Sequence, residues 1–438
     1  MLANEITVDG VTLPVALPGL FFLAAGEYDV SGSVLGYGNP CMAVLALTTG
    51  GSSLAFTGII LQSQSVLFGS PLFFGSVTIP MSASGSGSLV GIWESAAIFN
   101  NAIASSGMPE IYVNLNFTTK TSPSSFAVQQ TYPSDTQPPP LAAYPWHVMA
   151  LNAEAGTTPG VYLLNSYGVF VPAGTYKVRG LVCGGASPGG STQSVACLCL
   201  TSPAFSFSPN SILLQSQTSI SDCVFCGDVT IPAGAGGGSI LAVFAFADNA
   251  TGFGQHVGSG VPELYVNITF TKKCLMAPAP LQCTVQATYP SGTTTPILPT
   301  GFSFVPLNNA VGTLEAVIRP DGTFYLPSGK YRVEGVTAGS SLIPTHQAFL
   351  VWFTTSKSFN PFNVLLQSQN IVYGDLHFDG TIDVPDAIES GSFVALYTYA
   401  AFPNGNSGTP VSSGLPEIYT SLVITQLPPP SSPCVPRC

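Results

Sequence analysis

The chain has 438 residues and a net charge of −11, and charged residues make up 7% of it against a usual ~25%, while Gly (46) and Pro (38) are abundant. Ten Lys and Arg against 21 acids cannot build the basic face that binding a phosphate backbone requires, so nucleic acid is excluded as a partner. Gly, Ser, Asn and Pro interrupt every apolar segment before it reaches about 18 residues, which excludes a spanning helix and predicts no membrane insertion.

The chain opens with Met-Leu-Ala-Asn-Glu-Ile-Thr-Val-Asp-Gly, which has neither the basic start nor the apolar core of a secretory signal. Synthesis in the cytoplasm without a signal peptide is the expectation. The first landmark is Ala-Gly-Glu-Tyr-Asp-Val at 25–30, where inward Tyr28 and Val30 flank outward Asp29 in the period-two pattern of a half-buried strand. Ile-Leu-Gln-Ser-Gln follows at 60–64, Val-Thr-Ile-Pro at 77–80 and Gly-Met-Pro-Glu-Ile-Tyr at 107–112. No segment shows a sustained 3.6-residue period with caps, so no long helix is expected.

Every landmark then returns twice. Tyr28 is matched by Tyr176 and Tyr331, Gln62 by Gln215 and Gln367, and Pro109 by Pro262 and Pro416. The Gln residues are 153 and 152 apart and the Pro residues 153 and 154 apart, a period the length of a domain and too long for a solenoid. Neutral amides and a hydroxyl with no nearby base suit backbone pairing at a strand end, so these nine positions read as a structural signature. The boundaries follow: a first domain over 1–125, a Pro-rich linker over 126–141, a second domain over 142–278, a linker over 279–298, a third domain over 299–427, and a Pro/Cys tail over 428–438. Thr-Tyr-Pro-Ser begins at 131 and again at 288, so the spacers were duplicated with the domains, and Pro-rich spacers stay extended. The second and third domains open with strands near 148–152 and 305–308. Their counterpart in the first is either a diverged strand at 6–13 or missing, in which case an edge is left for another chain.

Candidate chemistry is sparse. Gly-Ala-Ser-Pro-Gly at 185–189 spells a nucleophile elbow but has Gly-rich loop on both sides where the elbow needs a strand and a helix. The four histidines, His147, His256, His346 and His377, occupy unlike positions of the repeats, so no catalytic set can be assembled and no enzyme is expected. Cys197, Cys199, Cys223 and Cys226 could supply four thiolates to zinc, with disulfides or plain buried thiols as the alternatives. Cys274 with Cys283, and Cys434 with Cys438, could form local staples. In the third domain Asp375, His377 and Asp379 share one face of a strand, with Asp383 and Asp386 following. Asp375, Asp379 and Asp383 form a candidate calcium set against the alternative of a solvated face. No cofactor is implied. The sequons at Asn116, Asn249 and Asn267 are the number chance supplies.

Phe-Val-Pro-Ala-Gly-Thr-Tyr-Lys-Val at 170–178 and Phe-Tyr-Leu-Pro-Ser-Gly-Lys-Tyr-Arg-Val at 324–333 resemble a strand of the jelly roll shared by complement globular heads and tumour-necrosis-factor-like domains. The closing Gly-x-Pro-Glu-Ile/Leu-Tyr is similar to the variant of that module in virion proteins of phages and large viruses. The first repeat departs from it, with Phe-Leu-Ala-Ala-Gly at 22–26 lacking the Pro. The resemblance implies an all-β fold of three tandem antiparallel jelly-roll sandwiches that associate either as an intrachain pseudo-trimer or as a three-chain trimer. It implies a structural protein on the outer surface of a virion, a capsid decoration, cement or minor capsid component, or a spike or fibre, whose partners are the major capsid or other virion proteins. The alternative is an attachment protein that binds a host receptor or glycan. An extracellular signalling ligand is weakened by the missing signal peptide.

Overall fold

In the computed structural model the described residues are 2–9, 11–12, 20–34, 42–48, 58–63, 70–81, 87–95, 110–120, 125–133, 146–156, 160–183, 185–186, 194–217, 219, 222–234, 236–247, 252–253, 263–273, 281–293, 297–298, 301–314, 316–338, 346–354, 358–368, 375–387, 391–400, 405–406 and 413–427. Strands dominate them, and the 3₁₀ turns Pro209–Ser211 and Pro361–Asn363 each lead into a short strand. The protein is an all-β sandwich, and no helix among the described residues is long and apolar enough to cross a membrane.

Each repeat contributes two main sheets, to which the second and third add a two-stranded ribbon apiece. In the second, one sheet runs in the order Ala153–Gly156, Ser125–Tyr132, Glu263–Lys272, Gly174–Cys183 and Asp222–Ile231. The other runs Tyr162–Asn165, Gly168–Pro172, Gly238–Ala247, Ser194–Leu200 and Ile212–Gln215, with His147–Val148 also paired to Gly238–Ala247. The third repeat copies both orders strand for strand. Alternation builds the core between sheets: Val229 and Ile231 are buried around exposed Thr230, and Ile382 and Val384 around exposed Asp383. The second core gathers Val178, Leu198, Phe225, Val243, Ile268 and Phe270, and the third Val333, Leu350, Phe378, Leu396, Leu422 and Ile424.

The signature residues have local causes. Tyr28, Tyr176 and Tyr331 each donate a hydroxyl hydrogen bond to the carbonyl four residues back, on Ala24, Pro172 and Pro327, at 3.1, 3.0 and 2.8 Å. Ser63, Ser216 and Ser368 are fully buried, and each exchanges two bonds with one alanine: Ala43, Ala196 and Ala348 donate N–H to the serine Oγ, while the serine N–H donates to the alanine carbonyl. The Leu two before that serine lies over a glycine of the next strand. A Cβ on Gly75, Gly227 or Gly380 would come within 2.7, 2.9 and 2.6 Å of Leu61, Leu214 and Leu366. Leu-Leu-Gln-Ser therefore locks a strand end onto its neighbour, and the glycine makes room for the lock.

Three expectations are corrected. The segments taken as linkers hold strands: Ser125–Tyr132 and Gln282–Tyr289 pair antiparallel with Glu263–Lys272 and Glu417–Gln426 and place Phe126, Val128, Cys283 and Val285 in the cores. Their shared Thr-Tyr is clamped in place. Asn152 accepts from Thr131 N–H at 2.8 Å and donates to the Thr131 carbonyl at 2.7 Å, and Asn308 does the same for Thr288 at 2.9 and 2.6 Å. Secondly, Ile6 does not stand in for the opening strand of the later repeats. Leu2–Val8 takes the sheet position of Ser125–Tyr132, beside Glu110–Thr119, whereas His147–Val148 belongs to the opposite sheet. Thirdly, that pairing of Leu2–Val8 with Glu110–Thr119 is parallel, where antiparallel pairing was expected throughout.

Candidate functional site

In the strand after each signature Tyr, side chains alternate between the core and the neighbouring repeats. Asp29 and Ser31 of Gly26–Val34, Lys177 and Arg179 of Gly174–Cys183, and Arg332 and Glu334 of Gly329–Thr337 occupy equivalent positions one and three residues past the Tyr. Asp29, expected to point outward, does so into the place where the repeats meet.

Glu334 is the hub. Its carboxylate receives Lys177 Nζ at 2.7 Å, the Arg179 guanidinium, and Arg332 Nε at 3.2 Å, while Arg332 also pairs with Asp379. Arg332 Nη2 donates to Ser31 Oγ at 3.3 Å, and Asp29 accepts from Ser76 Oγ at 2.6 Å. Burial, with Arg179 and Arg332 alongside, pushes the Lys177 ammonium down to about 7. Burial and Arg179 also lower Arg332, to about 9, which leaves it protonated at neutral pH. A chain with few charges has thus concentrated several of them at one internal junction.

Neutral contacts extend the junction in every direction. Asn267 donates to the Phe74 carbonyl at 3.0 Å, joining the second repeat to the first, and Asn114 donates to the Asp379 carbonyl at 3.1 Å, joining the first to the third. Asn114 and Asn267 lie five residues past the signature Pro, and Phe74 and Asp379 five before the end of the preceding edge strand, so the two contacts are equivalent. Asn116 also donates to the Asp379 carbonyl, at 3.0 Å. Between the second and third repeats Ser421 replaces the Asn, and the ions around Glu334 do that work instead. Two signatures meet there as well: Gln215 Nε2 donates to the Pro416 carbonyl at 2.9 Å. Leu72 of the first repeat packs with Leu181, Val224 and Tyr265 of the second, and Leu415 of the third with Cys199 and Phe244 of the second. Contacts therefore run from first to second, second to third, and third back to first.

The metal candidates do not come together. Among the described residues no three His, Cys, Asp or Glu side chains form a group that could hold a metal ion. Asp375 is buried and accepts from Gln217 Nε2 at 3.2 Å and from Ser219 Oγ across the second-to-third junction. Asp379 is held by Arg332, and Asp383 is exposed. His377, between them, is buried, which pushes its imidazole down to about 3 and keeps it neutral. Cys197 and Cys199 share the outer apolar face of their sheet, Cys223 lies in the core between sheets, and Cys226 Sγ is 3.7 Å from Glu334. Burial pushes the Cys199, Cys223 and Cys283 thiols up to about 12, so they stay protonated. Cys283, expected as half of a staple, is a free thiol in the third core. Gly185–Ala186 pairs with Gly252–Phe253, whereas Ser187, His256, Cys274, Cys434, Cys438, Asn249, Pro109 and Pro262 lie outside the described residues.

Sequence reading missed the junction although signals were present. Charged or polar residues recur one and three past each Tyr, and Asn114 and Asn267 recur in register. The sequons at Asn116 and Asn267 fall on buried junction amides. No protein-family model matches the chain, and a search of curated proteins returned no match.

Proposed function

We propose that the protein is a virion structural component, a decoration or cement at the outer capsid surface or a minor capsid or spike subunit, in which one polypeptide supplies three jelly rolls that a trimer takes from three chains. The observation that carries this reading is the closed circuit of contacts: Asn267 to Phe74, Lys177 and Arg179 to Glu334, and Asn114 to Asp379. A head-to-tail interface that closes after three copies is the logic of a cyclic trimer, here satisfied within the chain. With charged residues only 7% of the chain and several of them paired at the junction, the outside is built largely from neutral polar and apolar groups with scattered acids, suited to contacts with capsid neighbours that depend little on salt.

Two measurements test it. Light-scattering mass should hold near 45 kDa from low salt to about 1 M, where exposed ion pairs are screened, with and without reductant. A stable mass three times larger would overturn the one-chain trimer. Purified particles probed with antibody to this chain should carry it on their surface after a high-salt wash, and its absence from them would overturn the virion assignment.

A further inference from the structure

Where the three repeats meet, the junction does not close completely. It leaves a cavity of about 740 Å³ lined by all three, among them Asp29, Lys177, Lys330 and Arg332, within the size range of small-molecule sites. Its floor is the half-buried network of Lys177, Arg179 and Arg332 on Glu334. Its mouth is open, because Asp9, Thr118, Lys330 and Thr381 in the lining are exposed. Thr118, Thr271 and Thr425, each nine residues past a signature Pro, bring one hydroxyl from each repeat to its wall.

Three features describe what would fill it. Lys177, Arg179, Lys330 and Arg332 all line this one cavity, in a chain with ten Lys and Arg and a net charge of −11. Glu334 already satisfies the floor cations, whereas Lys330 at the mouth makes no ion pair among the described residues. Thr269, also in the lining, has an Oγ1 with no hydrogen-bond partner, but its neighbours seal that atom from water, so it adds nothing to the recognition of a ligand. Asp9 and Asp29 hold acceptors in the same space, and each is fixed by a neutral donor, Thr119 N–H at 2.7 Å and Ser76 Oγ at 2.6 Å. A ligand for this lining needs a carboxylate for Lys330, the one lining cation among the described residues that the carboxylates of the floor leave over. It also needs several hydroxyls, to donate to Asp9 and Asp29 and to exchange hydrogen bonds with the threonines.

We infer that this cavity is a binding site for a small polyhydroxylated carboxylate of the sugar-acid class. The inference rests on the cavity alone and is independent of the virion assignment. Titration calorimetry of the full chain with D-glucuronate, D-glucose and inorganic phosphate tests it. Glucuronate should bind saturably at one site per chain, and glucose and phosphate at least tenfold more weakly. Lys330→Met, an exposed position where folding is kept, should weaken glucuronate about tenfold, the loss of one charge-assisted hydrogen bond. Thr271→Val, which removes one of the three wall hydroxyls, should weaken it several-fold without lowering the melting temperature. No saturable glucuronate binding, binding unchanged in both variants, or phosphate binding as tightly as glucuronate would each overturn the proposal.

Discussion

At the scale of single residues, the repeated signature marks places where one atom too many, or one hydrogen bond too few, separates two strands. Gly32 is the sharper case, because its φ of +138° lies outside the range L side chains favour and a Cβ there would lie 2.0 Å from the Asn114 carbonyl oxygen. Gly75 has an ordinary backbone, and its Cβ would meet only the end of the Leu61 side chain at 2.7 Å. Gly32→Ala should therefore cost about 2–3 kcal/mol, measured by denaturant unfolding, and Gly75→Ala about 1 kcal/mol or less, since a leucine methyl can turn aside and a carbonyl paired in a sheet cannot. Ser216→Ala removes the acceptor for the Ala196 N–H at a fully buried site and should cost about 1–3 kcal/mol. Equal costs for the two glycine substitutions would show that the close strand approach at Gly32 is not rigid.

At the scale of elements, the ion network sets the second repeat against the third, and its members are not equivalent. Glu334 serves three cations, so Glu334→Gln leaves Lys177, Arg179 and Arg332 facing one another in a half-buried site and should cost about 3 kcal/mol. Lys177→Met removes the cation that burial and the flanking guanidinium groups already disfavour, leaves Glu334 its two arginines, and should change stability by no more than about 1 kcal/mol. Parallel unfolding curves of both variants check the asymmetry. Most of the fold was legible in the chain, because Val-Thr-Ile-Pro, the Tyr-x-Val step and the Gln-Ser-Gln spacing report alternation and repetition directly. Two strands were hidden by their neighbours: the period-two pattern of Phe126 and Val128, and of Cys283 and Val285, runs into a Pro-rich stretch that reads as spacer. The junction was less legible still. Asp29, Lys177 and Arg332 look like the outward half of a strand, and alternation alone does not say whether outward means solvent or the next domain. The calcium reading failed for a related reason: Asp375 and Asp379 do share a strand face, but Gln217 and Ser219 claim one and Arg332 the other.

At the scale of the whole molecule, the edge strand Leu376–Val384 links the third repeat to both others, through Asp379 to the first and, just ahead of it, Asp375 to the second. His377 sits between these two contacts, buried beside the meeting point, and its acid-base behaviour reports on the assembled protein. Burial lowers its folded pKa to about 3, against about 6.5 in an unfolded chain. Between these values the unfolded state holds a proton that the folded state refuses. The contribution of His377 is therefore complete above pH 6.5 and is lost as pH falls toward 3, by about 5 kcal/mol at most. Carboxylates titrate in the lower part of the same window, so the wild-type curve alone does not isolate the histidine. His377→Gln keeps a polar side chain and cannot take up the proton. Its unfolding free energy should start below that of the wild type at pH 7 and converge with it by pH 4. Curves that stay parallel from pH 7 to pH 4 would mean that His377 is solvated in the folded protein, which would require the strand joining the three repeats to lie open to water.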